Sequence, residues 1–121
     1  YRRCRYVVDE NQRLLDACAA LEKGDYVTFG QKMNGSHEGL SRQYEVSCDE
    51  LDFLADIGHR TDGVLGARMM GGGFGGCTIN LVRAEAYDGY LAEATDRFAH
   101  RFGHAPRVIE VNISQGARRI G

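Results

Sequence analysis

Residues 71–76 read Gly-Gly-Gly-Phe-Gly-Gly, five glycines in six positions. Each glycine loses more backbone entropy on folding than any other residue, so such a run is out of place inside a helix or a strand. Two physical uses offset that cost. One is a backbone path with positive φ angles; the other is close approach of bare main-chain N–H groups to an anion such as a phosphate. Val64 to Met70 and Cys77 to Val82 both read as strands, which places the glycines where one strand turns into the next. A glycine count alone leaves two readings open with equal weight: a hairpin without a ligand, and a loop that meets an anion.

The rest of the chain must supply the core for that hairpin. Its 121 residues suffice for one domain, 1–121, that buries most of the surface its unfolded form exposes. A 43% apolar and 26% charged composition is that of a soluble globule, and a net charge of −2 leaves no basic footprint for nucleic acid. No apolar run approaches the roughly 20 residues that span a bilayer, and no secretory signal is visible. The chain opens at Tyr1 inside a helical pattern, which points to a piece of a longer protein. Cys4, Cys18, Cys48 and Cys77 form no C-x-x-C pair and fall at apolar positions, so reduced core thiols and a cytoplasmic location are expected.

Cys4, Val7, Val8, Leu14, Leu15, Cys18 and Leu21 recur at helical spacing and predict an amphipathic first helix, with Asp9 and Arg13 paired on its polar side. Gly24 suits the residue beyond its C-cap, and Asp25 the N-cap of the next helix. That second helix carries Tyr26, Phe29, Met33, His37, Leu40 and Tyr44 on one side, with a bend or break expected near Gly35. Ser47-Cys48-Asp49-Glu50 predicts a capping box, flanked by Val46 and Leu51 as a hydrophobic staple, and a third helix to about Gly58 with Cys48, Leu51, Leu54 and Ala55 buried. After the glycines, Cys77, Ile79 and Leu81 form the apolar face of a strand. Tyr87, Leu91, Ala94, Phe98 and Phe102 then predict a fourth helix closed by Gly103. Ile109, Val111 and Ile113 predict a last strand, followed by an irregular tail from Ser114. The order implies an α+β two-layer sandwich: a small antiparallel sheet with helices on one face.

The obvious chemical motifs fail on inspection. A Walker loop needs a lysine and a hydroxyl after the glycines, but Cys77 follows Gly76 and the only lysines are Lys23 and Lys32. A dinucleotide fingerprint needs a helix after the loop, where a strand is expected. His37-Glu38 lacks the second histidine of a zinc motif, and neighbours such as Ser36 and His37 point about 100° apart on a helix, which disfavours a nucleophile–base pair. Asp49, Glu50 and Asp52 fit helix N-terminal electrostatics. No catalytic residue and no metal ligand is assigned.

Taken together, three stretches resemble the C-terminal lobe of the galactokinases, within the GHMP small-molecule kinases. Gly66-Ala67-Arg68-Met69-Met70, Gly71 to Gly76 and Cys77-Thr78 resemble the family motif G-x-R-M-T-G-G-G-F-G-G-C-T. Ser36-His37, Leu40, Tyr44-Glu45-Val46-Ser47-Cys48 and Glu50-Leu51-Asp52 resemble its S-H-x-S-L-R-D-D-Y-E-V-S-C-x-E-L-D segment. Glu10-Asn11, Leu21, Gly24-Asp25 and Met33 fit the helix before it, and Ser114-Gln115-Gly116-Ala117 resembles the family's end. The resemblance implies a ferredoxin-like lobe of an enzyme that moves the γ-phosphoryl of ATP, with Mg2+, to the anomeric hydroxyl of galactose. It also implies that Gly71, Gly72, Gly73, Phe74, Gly75 and Gly76 lie beside the nucleotide and sugar, with Arg68 as a weaker neighbour. The catalytic aspartate and most ATP and Mg2+ contacts then belong to a separate N-terminal lobe, and no nucleic acid or membrane partner is expected.

Two departures stand out: Gly39-Leu40-Ser41-Arg42-Gln43 loses both acids of the family segment, and Met70 replaces its threonine. They keep other readings open: a GHMP kinase for a galactosamine derivative, arabinose or galacturonate; a non-catalytic sugar sensor; or a lobe whose loop is only a tight turn.

Overall fold

The computed structural model describes residues 1–116; Ala117 to Gly121, the last part of the expected tail, lie outside the described residues. The elements run α1 (Arg2–Glu22), α2 (Tyr26–Gly39), a π-helical turn (Leu40–Tyr44), α3 (Asp49–Arg60), β1 (Val64–Met70), β2 (Cys77–Val82), a short 3-10 turn (Ala84–Ala86) and α4 (Tyr87–Phe102). The strands pair antiparallel from Met70 opposite Cys77 to Val64 opposite Val82, with a register shift between Val64 and Gly66. A two-stranded ribbon is marginal by itself and needs helices packed on it. Here α3 touches both strands, α2 runs along β1, and α4 packs on α3. The result is the α+β class that the element order implies.

Local signals near the helix ends behave as expected. Gly24 takes φ +70° after α1, Asp25 caps α2 by accepting from the Thr28 N–H at 3.0 Å, and Gly103 closes α4 at φ +80°. The core is built from Leu51, Ala55 and Ile57 of α3, Ala67 and Met69 of β1, and Tyr90, Ala94 and Phe98 of α4. Phe53 joins α3 to α4, with its ring centroid 6.5 Å from that of Phe98 and 5.5 Å from that of Phe102. Tyr90 donates to the Asn80 Oδ1 at 3.0 Å, and burial, helped by the Glu93 charge, pushes its phenol up to about 12.

Several expectations are corrected, each by a tertiary partner. The apolar stripe of α1 faces outward: Val8, Leu14 and Leu15 are 68%, 61% and 63% exposed, and Cys4, Cys18 and Leu21 are exposed too. The polar side of α1 packs on α2 instead, through Lys32–Asp16 at 2.8 Å and a Glu10 carboxylate shared by Ser36 and Arg13. Asp9 therefore pairs with Arg5, and Arg13 with Glu10. Helix α2 runs through Gly35 unbroken; the chain turns only after Gly39, through the π turn to Glu45 at φ 63°. The capping box does not form: Cys48 is the N-cap, no side chain accepts from the N–H groups of the first turn, and the Ser47 hydroxyl donates to Asp52.

The exposed Cys77 and Ile79 lie on the sheet face away from the helices, while Asn80 points to Tyr90. The cysteines are free, as expected, but Cys4, Cys18 and Cys77 are exposed and Cys48 half-buried, so they are not core thiols. No third strand forms at Ile109–Ile113. Among the described residues that segment pairs with no strand, and Ile109, Val111 and Ile113 are exposed. The outer edge of β1, which a third strand could use, is already taken by side chains.

Candidate functional site

The hairpin between Met70 and Cys77 is built by positive φ angles. Gly71, Gly73, Gly75 and Gly76 take +82°, +88°, +140° and +99°, and Phe74 takes +59°. Phe74 is the unusual member, since a bulky residue seldom enters the left-handed region. Two contacts hold it there. Its N–H donates to the Val46 carbonyl at 2.7 Å, and Gly73 sits so close to that carbonyl that a Cβ there would lie 2.0 Å from the oxygen. Around Gly71, Gly72 and Gly75 the space is open, with nothing within 4 Å of an added Cβ. The loop is therefore pinned at its centre and bare on either side, an arrangement that lets an anion reach main-chain amides. Its downstream half forms one wall of a cleft of about 780 Å³ that also touches Leu51, Tyr90 and Phe98.

Arg68 lies at the base of the loop, where its Nε donates to the Met69 carbonyl at 3.1 Å. The structure thus brings Arg68 and Gly71 to Gly76 together on one hairpin, as the sequence predicts.

Sequence reasoning missed a polar cluster below the loop. His37 is 5% exposed; its Nδ1 accepts from the Met69 N–H at 3.1 Å, so the ring proton sits on Nε2, 3.0 Å from Asp52 Oδ1. The same Asp52 oxygen accepts from Ser47 Oγ at 2.6 Å, and Oδ2 accepts from Ser41 Oγ at 2.8 Å. Asn34 Oδ1 accepts from the Ala67 N–H at 2.8 Å, and His59 Nε2 donates to the Ala67 carbonyl at 2.8 Å. Helix spacing places Asn34 and His37 on the β1 side of α2, but no local pattern links them to Asp52 or His59. The cluster opens on a second cleft of about 770 Å³, bordered by Asp49, Arg42 and Arg101.

Burial is the largest influence on His37 and lowers its pKa. Asp52 opposes the shift, while His59 of α3 and Arg68 of β1 add to it. His37 is therefore neutral in the fold, and the unfolded chain takes up that proton first as pH falls. Below its ordinary value of 6.5, proton binding favours unfolding, and the loss is complete once pH passes below the lowered folded value. The urea midpoint is expected to be lower at pH 5.5 than at pH 7.5. A histidine NMR titration should find one imidazole with a midpoint below the usual ~6.5; an equal urea midpoint at both pH values contradicts the assignment.

An α+β lobe that carries a pinned glycine hairpin, with open main chain beside a cleft, is the class that fold and site define. A family model described as "GHMP kinases C terminal" matches residues 17–101. The chain belongs to that family. It is similar to the galactokinase of Clostridium beijerinckii, 42% identical over 120 residues that make up 99% of this chain and 31% of that protein. The galactokinase of Streptococcus thermophilus is 44% identical over 97% of this chain and 30% of its own length. Among solved structures, Lactococcus lactis galactokinase complexed with galactose matches with a TM-score of 0.82 at 38% identity, over 86% of this chain and 27% of that one. Mevalonate kinase of L. major in complex with R-mevalonate matches with a TM-score of 0.62 at 35% identity, over 71% of this chain and 26% of that one. The chain spans about a third of the length of the curated relatives it matches.

Proposed function

We propose that residues 1–121 are the C-terminal lobe of a galactokinase, which transfers the γ-phosphoryl of ATP to the anomeric hydroxyl of galactose and works in the cytoplasm. The observation that carries this reading is the match to galactokinases along 97–99% of this chain, glycine hairpin included. Gly71 to Gly76, with Arg68 at their base, are its nucleotide- and substrate-facing residues. The open main chain at Gly71, Gly72 and Gly75 fits an anionic phosphate. Magnesium fits less well: among the described residues no group of three His, Cys, Asp or Glu side chains could hold a metal ion. The Mg2+ ligands, the catalytic aspartate and most ATP contacts are therefore assigned to an N-terminal lobe. The exposed α1 stripe of Val8, Leu14 and Leu15 and the Cys77–Ile79 sheet face are apolar surface available to that lobe. Neither nucleic acid nor membrane enters this reading; among the described residues no helix is long and apolar enough to cross a membrane.

The test is sugar-dependent ADP release by the full-length protein over a panel of galactose, galactosamine derivatives, arabinose, galacturonate and mevalonate. Turnover on galactose supports the proposal. Turnover on another substrate moves the chain to a neighbouring GHMP kinase, and ATP binding without turnover makes it a sensor. The isolated chain, given galactose and ATP-magnesium, is expected to form no product, because this reading assigns the catalytic aspartate and the Mg2+ ligands to the N-terminal lobe. Product above background contradicts that division of labour.

A further inference from the structure

Two legs carry the glycine hairpin, and both lead to one carboxylate. On the first leg, the N–H of Met69, two residues before Gly71, donates to His37 Nδ1 at 3.1 Å, and the opposite ring nitrogen donates to Asp52 Oδ1 at 3.0 Å. On the second, the N–H of Phe74 donates to the Val46 carbonyl at 2.7 Å, and the next residue, Ser47, donates from Oγ to the same Asp52 oxygen at 2.6 Å. The other oxygen of Asp52 takes the Ser41 hydroxyl at 2.8 Å, which ties down the π turn that leads into Val46. The Val46 N–H completes that tie by donating to the Leu40 carbonyl at 3.0 Å.

In a two-stranded sheet, half of the N–H groups of β1 point away from β2 and must be satisfied elsewhere. Asn34 and His37 satisfy those of Ala67 and Met69, and His59 satisfies the Ala67 carbonyl, so side chains from two helices stand in for a third strand. Only the His37 member is itself bonded to a charged group that also holds the far leg. A carboxylate that accepts several hydrogen bonds fixes its donors more firmly than a neutral acceptor does.

We infer that Asp52 is a positioning residue for the glycine hairpin, holding its incoming strand through His37 and its centre, at Phe74, through Ser47 and the Val46 carbonyl. It touches no substrate in this scheme. Its effect is to hold the hairpin at one height relative to the cleft, so that the amides do not have to be ordered when a phosphate-bearing ligand arrives. That last consequence rests on the kinase reading; the geometric part does not.

The experiment uses the full-length protein and the variants Asp52→Ala, Asp52→Asn and Ser47→Ala. Asparagine keeps an acceptor for Ser47 and His37 and presents an amide that Ser41 can accept, so it serves as the conservative rescue. Deuterium uptake in the peptide covering residues 68–78 is read first, because it requires neither turnover nor a known sugar. Asp52→Ala is expected to speed exchange there more than in peptides of α4, with Ser47→Ala and Asp52→Asn both intermediate, since asparagine keeps the acceptor but holds its donors less firmly than a carboxylate. Where the protein turns over, Asp52→Ala should raise the ATP KM by on the order of tenfold, the scale on which loss of an outer hydrogen-bonding partner is felt, and change the sugar KM much less.

Failure of the kinase reading appears as no turnover by the unsubstituted protein, with the exchange pattern intact. The positioning role is overturned if loop exchange in folded Asp52→Ala matches the unsubstituted protein, or if Asp52→Asn is as disruptive as alanine. Should Asp52→Ala fail to fold, Ser47→Ala decides alone: unchanged loop exchange in that variant overturns the role.

Discussion

Replacing Gly30 with alanine should destabilise the fold by about 3 kcal/mol, a large part of the ~5–15 kcal/mol that keeps a typical domain folded. Gly30 lies in the middle of α2, and a Cβ there would stand 2.0 Å from the Leu65 carbonyl oxygen and 2.4 Å from its carbon. The contact is mutual, since a Cβ on Gly66 would meet the Gly30 oxygen at 2.6 Å and its Cα at 2.7 Å. Both partners are backbone, so no side chain can swing away, and α2 would have to move off β1. That movement would also stretch the bonds from Asn34 and His37 to the strand. Alanine gains about 1 kcal/mol of helix propensity over glycine, which is too little to offset the clash. Gly89 in α4 offers the opposite case: nothing lies within 4 Å of an added Cβ, so Gly89→Ala should stabilise by up to ~1 kcal/mol. Urea unfolding of both variants in the full-length protein checks the pair. A Gly30→Ala protein as stable as its parent would show that α2 and β1 are not locked backbone to backbone.

The glycines of α2 show how far the sequence could be read. Gly30, Gly35 and Gly39 are equivalent in a one-dimensional pattern, and the sequence predicts a bend near Gly35. The structure uses Gly30 to admit β1 and Gly39 to admit the Tyr6 ring, and leaves Gly35 inside an unbroken helix. Close approach depends on what packs against a residue, which periodicity does not contain. The glycine hairpin, the Asp25 cap and the Gly103 terminus were legible because backbone rules within a few residues decide them.

The apolar stripe of α1 was a correct pattern assigned to the wrong neighbour. Hydrophobic spacing says which residues share a face, whereas burial of Tyr6 and Ala20, with the Lys32–Asp16 ion pair and the Ser36–Glu10 hydrogen bond to α2, decides which face turns inward. Ser47 and Glu50 have the letters of a capping box, yet the helix begins one residue later, with Cys48 as its N-cap, and the Ser47 hydroxyl is turned to the carboxylate five residues on. Asp52 itself looked like helix-terminus electrostatics. Its link to His37 runs across 15 residues and two helices, with no spacing rule to reveal it.

Gly73→Ala in the full-length protein should abolish the pinned hairpin and lower turnover by on the order of a hundredfold, the cost of misplacing a positioned group by about 1 Å. Three terms act together at this site. An L residue at φ +88° pays roughly 1–2 kcal/mol of left-handed strain, a Cβ would lie 2.0 Å from the Val46 oxygen, and Met69 Cε would stand at 3.0 Å. Moving Gly73 away breaks the adjacent Phe74–Val46 bond, which is 2.7 Å long. By itself that loss does not separate a ligand loop from a tight turn, since either would be damaged. Gly72→Ala separates them. Gly72 is absent from the positive-φ positions, and nothing lies within 4 Å of its added Cβ, so stability should stay within about 0.5 kcal/mol of the parent. The added methyl group does intrude on the open space that the proposal reserves for a phosphate-bearing ligand. Thermal unfolding and ATP affinity, measured on the two variants side by side, then give a clear division. A stable Gly72→Ala protein with weakened ATP binding makes the bare main chain a ligand surface. A Gly72→Ala protein unchanged in both, beside a Gly73→Ala protein that loses stability and keeps its turnover, reduces the glycines to the geometry of a turn.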